Sequence, residues 1–301
     1  MGASAAAGIA RARAEPARFL GLEWLNAPAQ SLTTLHGKVA IVDSWTCSRI
    51  NCSRTLPTLA RWHAQYAGAG LAIIGIHTPE FGFERNPVNV RAAIDRFAIP
   101  WPVAMDNDAL TWRAFDNEAW PGLHLFDRSG QLVLRRFGAA GYDQIETRFR
   151  ELLPVPQPPL PRAAADQRSI TTPELYLGLT RQTAPASPEP ARRDAQRYTE
   201  PPGLGADRFA LEGVWRLDPE AAVLEVGPGA ITPRYRAARV HFVAAAPHGT
   251  RLALTRDGRA IDSVTIDEPR LYTLPDLPPA EHTLRIAAIS PGLTAYAFTF
   301  G

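Results

Sequence analysis

The stretch KVAIVDSWTCSRINCSRTLPTLARWHAQY, residues 38–66, decides the reading of the first half of the chain. Its opening is a short apolar run, which reads as a buried strand. From Ser53 onward, Leu56, Leu59, Trp62 and Tyr66 recur near helical spacing, so a helix comes next. Between the two stand the chain's only cysteines, Cys47 and Cys52. Outward from this unit, strand-like and helix-like patterns alternate. LAIIGIHT (71–78) reads as a second apolar strand, and NPVNVRAAIDRFAI (86–99) as a helix with Pro87 near its start. WPVAMD (101–106) is a short strand and ALTWRAFD (109–116) a short helix. LHLFD and QLVLRRFG flank the RSG turn of a hairpin, and YDQIETRFRELL (142–153) closes as an amphipathic helix. Parallel strands joined by helices, ending in a hairpin, describe an α/β domain over residues 16–153.

A chain of 301 residues is long for one domain, and proline marks the division. Eleven prolines fall between Pro154 and Pro202, beginning with PVPQPPLP, a composition that favours an extended connector over residues 154–203. Within it TPELYLGL (172–179) looks ordered and is expected to dock on the C-terminal domain. In that domain RVHFVAAA, RLALTRDGRAIDSVTI, LYTLPDL, HTLRIAAI and AYAFTFG are β-rich stretches broken by turn signals, Asp257-Gly258 among them. These predict an all-β sandwich over residues 204–301. The net charge of +2 offers no field for nucleic acid, and no run of apolar residues is long enough to span a membrane. The N-terminal MGASAAAGIARARAEPARF lacks the apolar core of an export signal, so a cytoplasmic protein is the default expectation. Phosphate loops are absent and no cofactor is expected. Two cysteines exclude a disulfide-stapled scaffold and a four-thiolate zinc site. His77 and Glu80 invite a metal, but no second histidine or carboxylate stands at ligand spacing, so none is predicted.

Chemistry concentrates at residues 43–52, where a strand runs through a loop into a helix. Unpaired N–H groups and the dipole at a helix start favour an anion, and a thiolate there has a depressed pKa. Arg49 and Arg54 add positive charge in the same direction.

The segment WTCSRINCSRTLP (45–57) resembles the WTYSCINCLRTLP-like motif of the thioredoxin-like DipZ and TlpA-type thiol–disulfide proteins. GIHTPEFGFE (75–84), VAMDNDALTW (103–112), EAWPGLHLFDRSG (118–130), TPELYLG and the final AYAFTFG extend the resemblance over nearly the whole chain after the first fifteen residues or so. It implies a thioredoxin fold and a thiol–disulfide oxidoreductase acting on protein thiols and disulfides, recharged by an upstream dithiol and working outside the cytoplasm. The membrane-spanning part that such proteins often carry upstream is not in this sequence. Carried over by position, Cys52 takes the place of the resolving cysteine and Asp43 that of the buried acid that handles protons. Pro57 fits the proline that kinks the first helix, and Trp45 the tryptophan before the active-site turn. Pro121, after Trp120, fits the cis-proline loop that receives substrate backbone. Trp45, Arg49, Trp120 and Pro121 are therefore the expected substrate-binding residues, and Cys47, Cys52 and Asp43 the catalytic ones.

The sequence departs from the motif at its most reactive position. Arg49 stands where the family has its nucleophilic cysteine, and Cys47 lies two residues earlier, turning C-x2-C into C-x4-C. Cys47 is expected in an exposed loop, with slower or altered exchange, and a bond to Cys52 requires that loop to turn back over the helix end. The same C-x4-C spacing occurs in one peroxiredoxin class, but Ala40 and Ser44 replace the proline and threonine that such a thiol peroxidase needs. A third reading is a redox-inactive peptide- or glycan-binding protein. For that reading Trp215, Tyr235, Tyr272 and Tyr296 of the second domain, which resembles carbohydrate-binding modules, are the candidate sugar platforms.

Overall fold

The computed structural model describes residues 19–154, 172–246, 249–275, 278 and 280–301. The N-terminal run, the start of the first domain at 16–18 and the connector between 155 and 171 lie outside the described residues. The first unit comprises β1 (Glu23–Trp24), β2 (Val39–Trp45), α1 (Ile50–Tyr66), β3 (Leu71–His77), α2 (Pro87–Arg96), β4 (Val103–Met105), α3 (Leu110–Ala114), β5 (Gly122–Phe126), β6 (Leu132–Phe137) and α4 (Tyr142–Leu152). Its sheet runs β1-β4-β3-β2-β5-β6, with β2, β3 and β4 parallel and β5, β6 and β1 antiparallel to their neighbours.

All seven residues of β2 are buried, because the strand is central and covered on both faces. Side chains alternate between two cores. Val39, Ile41 and Trp45 meet Leu56, Leu59, Trp62 and Tyr66 of α1 and Ile145 and Phe149 of α4. Ala40 and Val42 meet Ile74, Ile76, Phe115 and Phe126 on the other face. Asp43 shares the parity of Ile41 and Trp45, so the strand aims a carboxyl into the apolar layer beneath α1. The thioredoxin-like arrangement expected from the sequence is the one observed.

The second unit comprises β7 (Leu175–Tyr176), β8 (Gln196–Tyr198), β9 (Arg208–Leu217), β10 (Ala222–Ala237), β11 (Val240–Ala245), β12 (Thr250–Arg256), β13 (Arg259–Ile266), β14 (Arg270–Thr273), β15 (Ala280–Ala288) and β16 (Thr294–Phe300). All its ladders are antiparallel, in the order β13-β12-β15-β10-β16-β11-β14, with β9 on β10, β8 on β9 and β7 on β16. The sheet curls into a sandwich around Trp215, Tyr235, Phe242, Leu252, Ile286 and Phe298. Three strands escape the sequence reading: β8, inside the stretch read as connector, β9, and the 16-residue β10. Gly227-Pro228-Gly229 reads as a turn but runs through the middle of β10, where the pairing with β9 shifts register twice.

The segment at 172–179 lies on this sandwich. Leu175 and Tyr176 pair with Phe298 and Ala297, and a Cβ at Gly178 would meet the backbone of Glu220 and Ala221 at 2.1–2.4 Å, so only glycine allows that approach. Opposite, the ladder from β11 to β16 skips Tyr296: Val243 faces Ala297 and Ala244 faces Ala295. The resulting bulge turns two successive side chains, Tyr296 and Ala297, away from the sandwich core and toward the first domain.

Candidate functional site

The site lies where β2 ends and α1 begins. Arg49 is the N-cap of α1 and makes no side-chain capping bond; its carbonyl accepts from the Ser53 amide at 3.1 Å. Cys52, in the first turn of the helix, is 1% exposed and takes a backbone hydrogen bond from Thr46. That contact sets the sulfur of Cys52 against the residue preceding Cys47. Both cysteines are free thiols.

Asp43 is 1% exposed, and neither carboxyl oxygen has a hydrogen-bond partner. Burial raises its pKa from 3.8 to about 7, so it exchanges a proton near neutrality. Its charge acts on both Cys52 and Tyr142. The Trp120–Pro121 bond is cis, as the resemblance implied. Trp120 packs on Trp112 at 4.5 Å between ring centroids, and the Arg49 guanidinium lies 5.7 Å from its ring. Arg49, Trp120 and Pro121 therefore converge. Trp45 does not join them: it is 1% exposed, edge-on to His77 at 5.2 Å, and serves as packing rather than a substrate surface.

Cys47 corrects the expectation of an exposed, acidified thiol. It is 5% exposed and sits two residues before the N-cap, short of the turn where the helix dipole acts. Its neighbour is an acid instead. The Cys47 thiol donates to Glu84 Oε1 at 3.4 Å, and burial first, then the Glu84 charge, push its pKa well above the ordinary thiol value. The Cys47 amide donates to His77 Nε2 at 3.3 Å, and burial lowers the His77 pKa.

Glu84 is the residue that the sequence reading missed. It comes after the apolar HTPEFGF run on a short 3-10 turn, fully buried. Oε1 is approached by the Thr46 hydroxyl (2.5 Å), the Ser48 hydroxyl (2.7 Å) and the Ser48 amide (3.0 Å) as well as by Cys47. Oε2 accepts from the amides of Glu80 (2.5 Å) and Phe81 (3.0 Å). Cys47, His77 and Glu84 each offer a ligand atom, all within 4.8 Å of one another. Glu80, the acid singled out with His77, is not in that group.

Glu80 instead belongs to the contact with the sandwich. Arg49 bonds Glu80 and Glu174 at 2.8 Å each, and Arg181 bonds Glu80 at 2.9 Å. The Tyr176 hydroxyl lies between Glu80 (2.9 Å) and Glu174 (2.7 Å). Phe81 and Phe83 pack on Tyr296 with centroids 5.1 and 5.0 Å apart. Ser48 and Arg49 thus share a crevice with Glu174, Tyr176, Val243 and Ala297, and the sandwich covers the cysteine loop. Of the sugar-platform candidates, Trp215, Tyr235 and Tyr272 are at most 3% exposed and belong to the sandwich core, while Tyr296 faces the first domain.

Residues 172–301 match the family described as "Thioredoxin like C-terminal domain". Protein DipZ of Mycobacterium tuberculosis is 33% identical over 290 residues, which is 92% of this chain and 41% of that protein. The chain is a homologue of DipZ over 92% of its own length. It spans well under half the length of DipZ. The thiol–disulfide oxidoreductase YkuV of Bacillus subtilis is 25% identical over 130 residues, 43% of this chain and 87% of YkuV. Among solved structures, a thiol–disulfide isomerase from Corynebacterium glutamicum shares 25% identity, with a TM-score of 0.41 over 44% of this chain and 92% of its own. No helix among the described residues is long and apolar enough to cross a membrane.

Proposed function

We propose that this DipZ-like chain is a thiol–disulfide oxidoreductase acting on protein thiols and disulfides, with Cys47 and Cys52 as its redox pair. The observation that carries this is the buried, unpartnered carboxyl of Asp43, whose charge acts on Cys52 at the start of α1, with Cys47 buried in the same apolar cluster. In the reductive direction Cys47 gives its proton to Glu84 and attacks a substrate disulfide. One S–S bond breaks, a mixed disulfide forms on Cys47, and the departing sulfur takes up a proton. Cys52 then passes its proton to Asp43 and attacks the Cys47 sulfur. The second substrate thiol leaves, two electrons have moved to the substrate, and a Cys47–Cys52 disulfide remains for an upstream dithiol to reduce. Arg49, Trp120 and Pro121 border the approach to the pair. The raised thiol pKa makes the attack slow until the cover over the loop opens and water reaches the sulfur.

The test is dithiol-driven reduction of a disulfide reporter. Cys47→Ser is expected to lose it, and Cys52→Ser to accumulate a mixed disulfide on Cys47; unchanged turnover by Cys47→Ser would falsify the assignment. A thiol peroxidase would instead consume hydrogen peroxide through a sulfenic acid on Cys47. The Ser44 hydroxyl, which that chemistry would use, accepts from Asn117 Nδ2 at 3.0 Å. A glycan at the second domain draws no support from Trp215, Tyr235 or Tyr272, which are core residues.

A further inference from the structure

We propose that Cys47, His77 and Glu84 form a buried binding site for a thiophilic divalent cation, zinc in the first instance, which holds Cys47 in a redox-silent form. The three side chains come from β2's exit loop, the end of β3 and the turn after it, and their donor atoms already lie within 4.8 Å of one another. Two ligands on one tetrahedral zinc stand about 3.3–3.8 Å apart, given zinc–ligand distances near 2.0–2.3 Å. The Cys47 sulfur and Glu84 Oε1 are at that separation now, at 3.4 Å. Side-chain shifts of about 1 Å bring in the imidazole.

Each donor has a lone pair to give. His77 Nε2 accepts an N–H, so it is unprotonated on that nitrogen, and at 3.3 Å the bond it would surrender is a long one. Glu84 Oε1 is approached by four donors, more than an oxygen's lone pairs can hold together. Two of these are hydroxyls free to turn away, and the third is the thiol whose proton a cation would replace. Oε2 stays anchored by two amides, the outer support that ligating carboxylates carry. The balance is simple: Cys47–SH and M2+ give Cys47–S–M+ and one proton released to solvent. A thiolate and a carboxylate then neutralise the dication, whereas without it a carboxylate stands alone in the interior. Cysteine, histidine and carboxylate together suit zinc or cobalt better than magnesium or calcium. Nδ1 of His77 has no partner to orient the ring, so binding depends chiefly on Cys47 and Glu84.

The proposal does not rest on the exchange reading. Its test is an anaerobic titration of the reduced full-length chain with Co2+. One cobalt per chain is expected, with sulfur-to-cobalt charge-transfer absorption in the near ultraviolet that Zn2+ abolishes by displacement. Cys47→Ser loses the band, Cys52→Ser keeps it, and Glu84→Gln weakens binding by about 10-fold or more. Because Glu84 also anchors its loop, a second readout uses the unmutated chain. Stoichiometric Zn2+ should protect Cys47 from iodoacetamide, located by peptide mass spectrometry. Absence of the charge-transfer band in the unmutated chain overturns the site. So does a band that survives Cys47→Ser and vanishes in Cys52→Ser, or alkylation of Cys47 that Zn2+ does not slow.

Discussion

Tyr296→Ala tests whether the sandwich is what shields Cys47. The ring packs on both Phe81 and Phe83, at 5.1 and 5.0 Å between centroids, and so joins the sandwich to the turn that carries Glu84. Aromatic pairs contribute about 0.5–1.5 kcal/mol each beyond area burial, so losing two weakens the contact by about 1–3 kcal/mol. At 1.4 kcal/mol per factor of ten, the population with the loop uncovered rises roughly 5- to 140-fold. When opening and closing are fast relative to labelling, the labelling rate tracks that population. Native-state alkylation of Cys47 by iodoacetamide, read by peptide mass spectrometry, should therefore accelerate by a similar factor. Tyr296 is outside the sandwich core, so the unfolding transition of the second domain should change little. If Cys47 labelling changes by less than about 2-fold in a folded variant, the sandwich is not the barrier. The thiol is then reached through motion of its own loop, and the reasoning fails.

Other consequences are equally direct. Asp43→Asn should flatten the pH dependence of stability between pH 4 and 7. The folded pKa of about 7 stands above the unfolded value of 3.8, so the folded state binds the extra proton and stability is lost as pH rises through that window. The loss amounts to roughly 4 kcal/mol at full ionisation, and denaturant midpoints at pH 4 and pH 8 would measure it. Glu84→Gln removes the charge and hydrogen bond that raise Cys47, so its thiolate should appear at lower pH when monitored by ultraviolet absorbance; an unmoved or raised titration would contradict this. Arg49→Cys in a Cys47→Ser background restores the C-x2-C spacing at a helix start and should form an oxidised disulfide with Cys52, seen as the loss of two thiols by titration. The same change strips Glu80, 4% exposed, of one of its two arginines, and a drop of about 1–3 kcal/mol in stability should accompany it.

The strand, loop and helix around the cysteines were legible because local patterns decide them: β2 is an unbroken apolar run, and α1 repeats its apolar residues at helical spacing. The convergence of Asp43 with Cys52 was legible by motif offset, and the cis bond at Pro121 by its position after Trp120. Glu84 was not, since 37 residues separate it from Cys47 and only the β2–β3 pairing brings its turn over the loop. The burial of Cys47 was hidden for a related reason. Its partners Glu84 and His77 come from β3 and the turn beyond it, and the next residues of its loop, Ser48 and Arg49, border Glu174 and Tyr176 of another domain, so no window around the motif contains them. The 16-residue β10 was obscured by Gly227-Pro228-Gly229, turn chemistry used here for a mid-strand irregularity.

The extra residue in β16 ties two inheritances together. Tyr296 and Ala297 meet the neighbouring domain, while Ala295, Phe298 and Phe300 of the same seven-residue strand fill the sandwich core. Point substitutions can tune either set separately. A one-residue deletion at the bulge cannot: it would restore regular alternation with Phe298 still opposite Phe242, and remove one of the two successive side chains that reach the neighbouring domain. In descendants of this chain the length of that strand is therefore fixed more strictly than its composition.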